Sequence, residues 1–310
     1  MGSVRIEERG EGVLVATIEN PPLALMDDEI VVALEALGRR AESDPAVTGI
    51  VLTGAHPERF VAHYEVADLL AGARASPSVS RGVAHGLLST VAVLRRIPGA
   101  IGALGGTPAS GLSDTERFGE VLSRFERCGA VVVAALNGSA MGGGCELSLA
   151  CDFRLMADGP FSIGQPEILL GFSPGGGGTQ RLARMLGSGP ALRLCLDGGP
   201  LDPQQAAEAG IVDEVVPAGE LLERAVALAT RLARRPKAGI AAVKRAVYQG
   251  GALPLGAGLR LERAEFMAAL VTPEAERAME SYVQATEREG DLPLYDPDAR
   301  ERALERGRFD

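Results

Sequence analysis

The stretch "AALNGSAMGGGCELSLACDFRLMA" runs from Ala134 to Ala157. It begins inside the apolar run "AVVVAAL" (130–136), meets three consecutive glycines at Gly142, Gly143 and Gly144, and then carries a lone carboxylate, Glu146. A short apolar run that ends at Asn137-Gly138 reads as a buried strand. Glycines between a strand and an apolar helix remove the Cβ from the turn and let a ligand approach the N–H groups at the helix start. The stretch closes on "DFRLMA" (152–157), a second strand. Strand, glycine turn, helix and strand form the repeating unit of an α/β fold.

The same pattern extends outward. "VLVATI" (13–18) and "GIVLTG" (49–54) read as strands, and Asp27 and Asp28 open a helix that runs to Arg40, with acidic residues where the helix dipole favours them. After "IVDEVVP" (211–217) the character changes to apolar stripes at helical spacing through residue 287. The expected organisation is an α/β domain over 1–216, with an insertion at about 71–117, followed by a helical domain with a charged tail over 217–310. Within the insertion, 81–97 reads as a helix between two Pro/Gly/Ser-rich segments.

Composition excludes several function classes. The 31 Lys and Arg against 41 Asp and Glu leave a net charge of −10, which argues against a nucleic-acid or anionic-membrane surface. No stretch approaches the roughly 18 consecutive apolar residues of a membrane span, and the first ten residues are polar and mixed in charge, so a cytoplasmic protein is expected. The four cysteines (Cys128, Cys145, Cys151, Cys195) form no C-x-x-C pair and read as reduced, buried thiols. With His56, His63 and His85 the only histidines, no metal is expected.

Two motifs mislead. "GFSPG" (171–175) matches a nucleophile elbow, but the residue after the serine is Pro174, which has no N–H to give an oxyanion. Ser173 is therefore read as a loop residue. "GALGGT" (102–107) lacks the spacing of a dinucleotide fingerprint and reads as a loop. A third cluster carries chemistry. "GQPEILLGFSPGGGGTQRL" (164–182) holds a second lone carboxylate, Glu167, followed by four glycines and an apolar helix. Two carboxylates in apolar, glycine-rich surroundings suggest a paired acid and base.

Together the segments 134–157 and 164–187 resemble the enoyl-CoA hydratase/isomerase (crotonase) family. "PLDPQQAAEAGIVDEVV" (200–216), "RRPKAGIAAVKRAV" (234–247), "VLVATIENPP" (13–22) and "VTGIVLTGAHPERFVA" (47–62) extend the likeness. The resemblance implies a crotonase-type ββα spiral domain with a C-terminal helical domain that assembles a homotrimer or a dimer of trimers. It implies an acyl-CoA thioester substrate, of the kind met in fatty acid metabolism, with no cofactor beyond that coenzyme A and no metal. It places the oxyanion-hole N–H groups at Gly143 and at Ala62 in "RFVAHYEVADL" (59–69), and the two catalytic carboxylates at Glu146 and Glu167. Substrate contacts are expected from Ala24, Met26, Phe60, Ala62, His63, Tyr64, Gly142, Gly143, Pro166, Leu169, Gly175 and Gly176. The implied activity is hydration of a 2-enoyl-CoA; isomerisation, retro-Claisen carbon–carbon hydrolysis and an inactive acyl-CoA-binding subunit are the alternatives. The chain departs from the family where a glycine and an aspartate are usual, with His63 and Glu65 in their places.

Overall fold

A computed structural model of the chain describes residues 1–75, 78, 80–94 and 110–309. The segment 102–107, read as a loop, lies outside the described residues.

The main sheet has six strands in the order β1 (Ser3–Glu8), β2 (Val13–Glu19), β3 (Gly49–Gly54), β5 (Val131–Leu136), β7 (Phe153–Ala157) and β9 (Glu214–Val216). The β1–β2 pair is antiparallel and the other pairs are parallel. The register aligns Val15 with Val51, Val51 with Val133, and Val133 with Phe153. Val13, Val15, Val51, Val131 and Val133 face one side, and Leu14, Ile18, Ile50, Leu52, Val132 and Leu136 face the other. A sheet buried on both faces needs strands that are apolar throughout, which is why these runs show no polar alternation.

Three short strands, β4 (Arg59–Val61), β6 (Ser139–Met141) and β8 (Ile163–Gly164), make a second, parallel sheet. Helix α1 (Asp28–Ser43) buries Ile30, Val31, Leu34 and Leu37, and is capped by Asp27, whose carboxylate accepts from the Ile30 N–H at 3.0 Å. Helix α2 (Val66–Ala75) leads into the expected insertion, and α3 (Arg81–Leu94) lies within it. Helix α4 (Ser110–Arg127) packs on α1 and buries Phe118, Val121, Leu122 and Phe125.

Helix α5 (Gly143–Leu149) begins within the glycine triplet and α6 (Gly178–Leu186) at the end of the second glycine run, with α7 (Ser188–Asp197) and α8 (Pro203–Glu208) after it. Beyond the sheet come α9 (Leu221–Ala233), α10 (Lys237–Tyr248), α11 (Leu255–Leu270), α12 (Pro273–Glu289) and α13 (Pro297–Arg306). This is the expected α/β fold with a helical C-terminal region. Helix α9 lies past the expected boundary at 216 yet buries Leu221, Ala225 and Ala229 against β2, β3, β5 and β7. Helix α10 is pinned to the sheet by a buried ion pair. Lys244 Nζ donates to Asp152 Oδ2 and to the Ala130 carbonyl, each at 2.8 Å, and Asp152 also accepts from the Val132 N–H and the Tyr248 hydroxyl. Removing one partner of such a pair strands a buried charge.

The four cysteines are free and buried. Burial pushes the Cys145 thiol well up and the Cys151 thiol up to about 12, so neither is a ready nucleophile. Among the described residues no helix is long and apolar enough to cross a membrane, and no three His, Cys, Asp or Glu side chains cluster as a metal site requires.

Candidate active site

The ends of β3 and β5 are joined through Asn137, whose amide accepts from the Gly54 N–H and donates to the His56 carbonyl, both at 2.8 Å. The chain then passes through β6 into the glycine triplet. Gly142 has φ of +49°, a conformation that side chains rarely adopt. Gly144 lies against the Val61 carbonyl, which would stand 2.2 Å from any added Cβ. The triplet thus turns the chain sharply and brings the start of α5 against the loop after β4. At the middle position, a Cβ on Gly143 would sit 3.5 Å from the backbone nitrogen of Tyr64. The Gly143 N–H opens α5, where the first turn has no intrahelical acceptors.

The Glu167 carboxylate lies against this turn, and the Glu146 carboxylate against the second glycine run. Glu167 opens a 3-10 helix, Glu167–Leu170, and its Oε1 lies 3.2 Å from where a Cβ on Gly142 would begin. Glu146 lies in the first turn of α5, its own N–H bonded to the Gly142 carbonyl at 2.8 Å. Its Oε1 accepts from the Gly178 N–H at 2.8 Å, and Gly176 lies against its Oε2. Burial pushes the Glu146 carboxyl up to about 7; the nearby Glu167 adds to this, and the Gly178 and Gly176 N–H groups and Arg181 oppose it. Burial raises Glu167 as well.

Gln165, only 2% exposed, supplies the missing donors for Glu167. With its amide nitrogen turned toward the carboxylate it donates to Oε1 at 2.8 Å and to Oε2 at 3.0 Å. Arg181, from α6, closes the glycine-rich loop by donating to the Gly176 carbonyl at 2.8 Å and to Glu126 of α4 at 2.6 Å. The Phe118 ring fills the space beside Gly176 and meets the Tyr64 ring edge-on, with centroids 6.1 Å apart. Tyr64 in turn donates its hydroxyl to Asp28 at 2.7 Å.

One expected role is corrected. The Ala62 N–H donates to the Ala24 carbonyl at 2.8 Å, and the Ala62 carbonyl accepts from Met141, so this residue is committed to the strand-like pairing that holds the loop. The backbone nitrogen that reaches Gly143 belongs to Tyr64, two residues on. Phe60 and Met26 are fully buried, and their side chains pack the core. Met26 contributes its backbone, bonding to the His63 carbonyl and the Glu65 N–H.

His63 is exposed at the edge of the site, its Cβ 3.7 Å from the Cβ position of Gly142 and its Nδ1 2.8 Å from the Tyr64 carbonyl. Glu65 accepts from the Ala67 N–H at the start of α2. Ala24 is buried at φ of +58°. Pro166 precedes the 3-10 helix, Leu169 stands on it 72% exposed, and Gly175 is exposed where Gly176 is buried. Ser173 lies in a loop.

Comparison with known proteins identifies the family. The profile of the enoyl-CoA hydratase/isomerase family matches residues 102–289. A probable mitochondrial enoyl-CoA hydratase from Dictyostelium discoideum is 41% identical over 153 residues, which cover 49% of this chain and 55% of the relative. The match therefore spans just over half the length of that relative. A 2,3-dehydroadipyl-CoA hydratase from Escherichia coli is 38% identical over 176 residues, covering 57% of this chain and 68% of the relative. The crystal structure of an enoyl-CoA hydratase from Geobacillus kaustophilus shares the fold, with a TM-score of 0.73 at 24% identity over 92% of this chain and 97% of that one. The chain belongs to the enoyl-CoA hydratase/isomerase family.

Proposed function

We propose that the protein adds water across the 2,3 double bond of a 2-enoyl-CoA thioester. The observation that carries this reading is that two buried carboxylates, Glu146 and Glu167, lie close enough to influence one another beside a glycine turn where the Tyr64 backbone nitrogen stands 3.5 Å from the Cβ position of Gly143. Attack of water on the β-carbon moves negative charge onto the thioester oxygen. Backbone N–H groups fixed in place stabilise that charge without reorganising, and removing one such donor costs about 10²–10³ in turnover.

The two carboxylates serve the proton transfers. One, ionised, takes a proton from the attacking water; the other, protonated, gives one to the α-carbon. With the Glu146 carboxyl raised to about 7, a state holding one proton on the pair is well populated near neutral pH. Neither transfer calls on a metal or a redox group. Purified protein mixed with a panel of 2-enoyl-CoA thioesters of different chain length is expected to bleach the conjugated absorbance of at least one. Loss of coenzyme A or a shifted double bond without hydration would replace this reading with one of the related reactions.

The helices beyond α9 serve assembly in this reading. Val243 and Val247 of α10, Phe266 and Met267 of α11, and Val271 just after it are all more than half exposed, apolar side chains that an assembly would cover. Covering them with further copies of the chain gives a trimer or a dimer of trimers.

A further inference from the structure

The segment 175–178 is four consecutive glycines, yet its atoms hold Glu146. Glycines have more backbone freedom to lose than other residues, so such a run does not fix its own shape. The side chain that reaches into it is Arg181. Its Nη1 donates to the Gly176 carbonyl at 2.8 Å and stands 2.2 Å from where a Cβ on Gly177 would be. Its Nε donates to Glu126 at 2.6 Å, on α4, two turns beyond Phe118, which packs against Gly176. Arg181 and Glu126 keep only 14% and 20% of their side-chain surface exposed, so solvent screens this pair less than a surface pair. The planar guanidinium fork suits two acceptors held in fixed directions.

We propose that Arg181 is a positioning residue: anchored by Glu126, it fixes the four-glycine loop so that the Gly178 N–H stays on Glu146, and it thereby sets how tightly Glu146 holds its proton. The charged and titratable groups facing Glu146 are Glu167 from the 3-10 helix, Arg181 from α6, Cys195 from α7 and Cys145 from its own helix. From α4 it meets the apolar Phe118. The positive charge of Arg181 acts in the same direction as the loop N–H groups, favouring the ionised carboxylate.

This inference rests on Glu146 being one of the two site carboxylates, and its test is read without substrate. The protonated carboxyl band of Glu146 is identified in infrared spectra by its disappearance in Glu146→Gln, and is then titrated with pH in the wild type, Arg181→Met, Arg181→Lys and Glu126→Ala. The midpoint is expected to rise by about one pH unit in Arg181→Met, with Arg181→Lys recovering part of the shift. Glu126→Ala separates anchoring from charge. It removes an anion, so a charge effect alone lowers the midpoint, whereas release of the loop raises it. A raised midpoint in a folded Glu126→Ala protein supports the proposal; an unchanged or lowered one overturns it, and so does an unchanged midpoint in folded Arg181→Met. If Arg181→Met does not fold, Glu126→Ala decides alone. If the wild type hydrates none of the thioesters, the hydratase reading fails while the titration still decides the role of Arg181.

Discussion

The two glycine–glutamate segments look alike as strings and are built in opposite ways. In 137–153 every residue of α5, from Gly143 to Leu149, is buried. A helix buried on all sides belongs in a core, and that core surrounds Glu146. In 164–182 the carboxylate sits on a four-residue 3-10 helix whose next three residues, Ile168, Leu169 and Leu170, are exposed. Here the Gln165 amide, turned toward Glu167, supplies its hydrogen bonds. Both carboxylates are buried, but Glu146 stands in a wholly buried helix and Glu167 at the head of an exposed one, and substitutions at the two ends should differ accordingly.

The largest effect is expected on turnover. Glu146→Gln and Glu167→Gln should each lower the hydration rate by about 10²–10⁴, the usual worth of a positioned acid or base. Steady-state kinetics on a thioester that the wild type hydrates measures it, with circular dichroism to show that each variant is folded.

Next in size is an effect on stability, and it breaks the likeness between the two sites. Glu146 is 4% exposed, and its carboxyl is raised from 4.5 to about 7 in the folded state. The folded state then binds more protons than the unfolded state between these values, so stability falls as pH rises through that window. The whole contribution is present below 4.5 and has been lost above about 7, a difference of roughly 3 kcal/mol. Glu146→Gln, which cannot ionise, should therefore be more stable than the wild type at pH 8 by up to roughly this amount, with the gain shrinking toward pH 4. Urea unfolding at several pH values checks it; a gain that does not change with pH would show that burial is not what raises this carboxyl. An inactive variant that is more stable is what a buried catalytic charge predicts.

The smallest effect belongs to His63. It is exposed, and its Nδ1 is engaged by the Tyr64 carbonyl beside it. His63→Gly is expected to keep most of the turnover and to change chiefly the substrate concentration dependence. Abolished turnover in a folded variant would make His63 a participant and favour carbon–carbon hydrolysis over hydration.

Much of this was legible in the sequence, for a physical reason. β2, β3, β5 and β7 are buried on both faces, so their apolar runs stand out. β1 was not legible, since it is an edge strand with mostly exposed side chains; nor were β4, β6 and β8, which have two or three residues each and no room for a period. In the site, Glu146, Glu167 and Gly143 were marked by lone carboxylates beside glycines. The second backbone nitrogen was misplaced at Ala62, because a sequence does not tell which N–H a bridge consumes: the Ala62 N–H is spent on Ala24 and the pairing of Met26 with Tyr64 fixes the loop. Gln165 and Arg181 gave no signal, since a glutamine in a turn and an arginine one turn into a helix are ordinary until their partners are known.

The central claim is that Glu146 and Glu167 act as one unit on one water. A double-mutant cycle on hydration tests it most directly, comparing Glu146→Gln, Glu167→Gln and the pair. Groups that work together are strongly non-additive, so the double variant should be slower than the worse single variant by no more than about tenfold. A double variant whose loss equals the product of the two single losses, or either single variant with near-wild-type turnover, would contradict the paired mechanism.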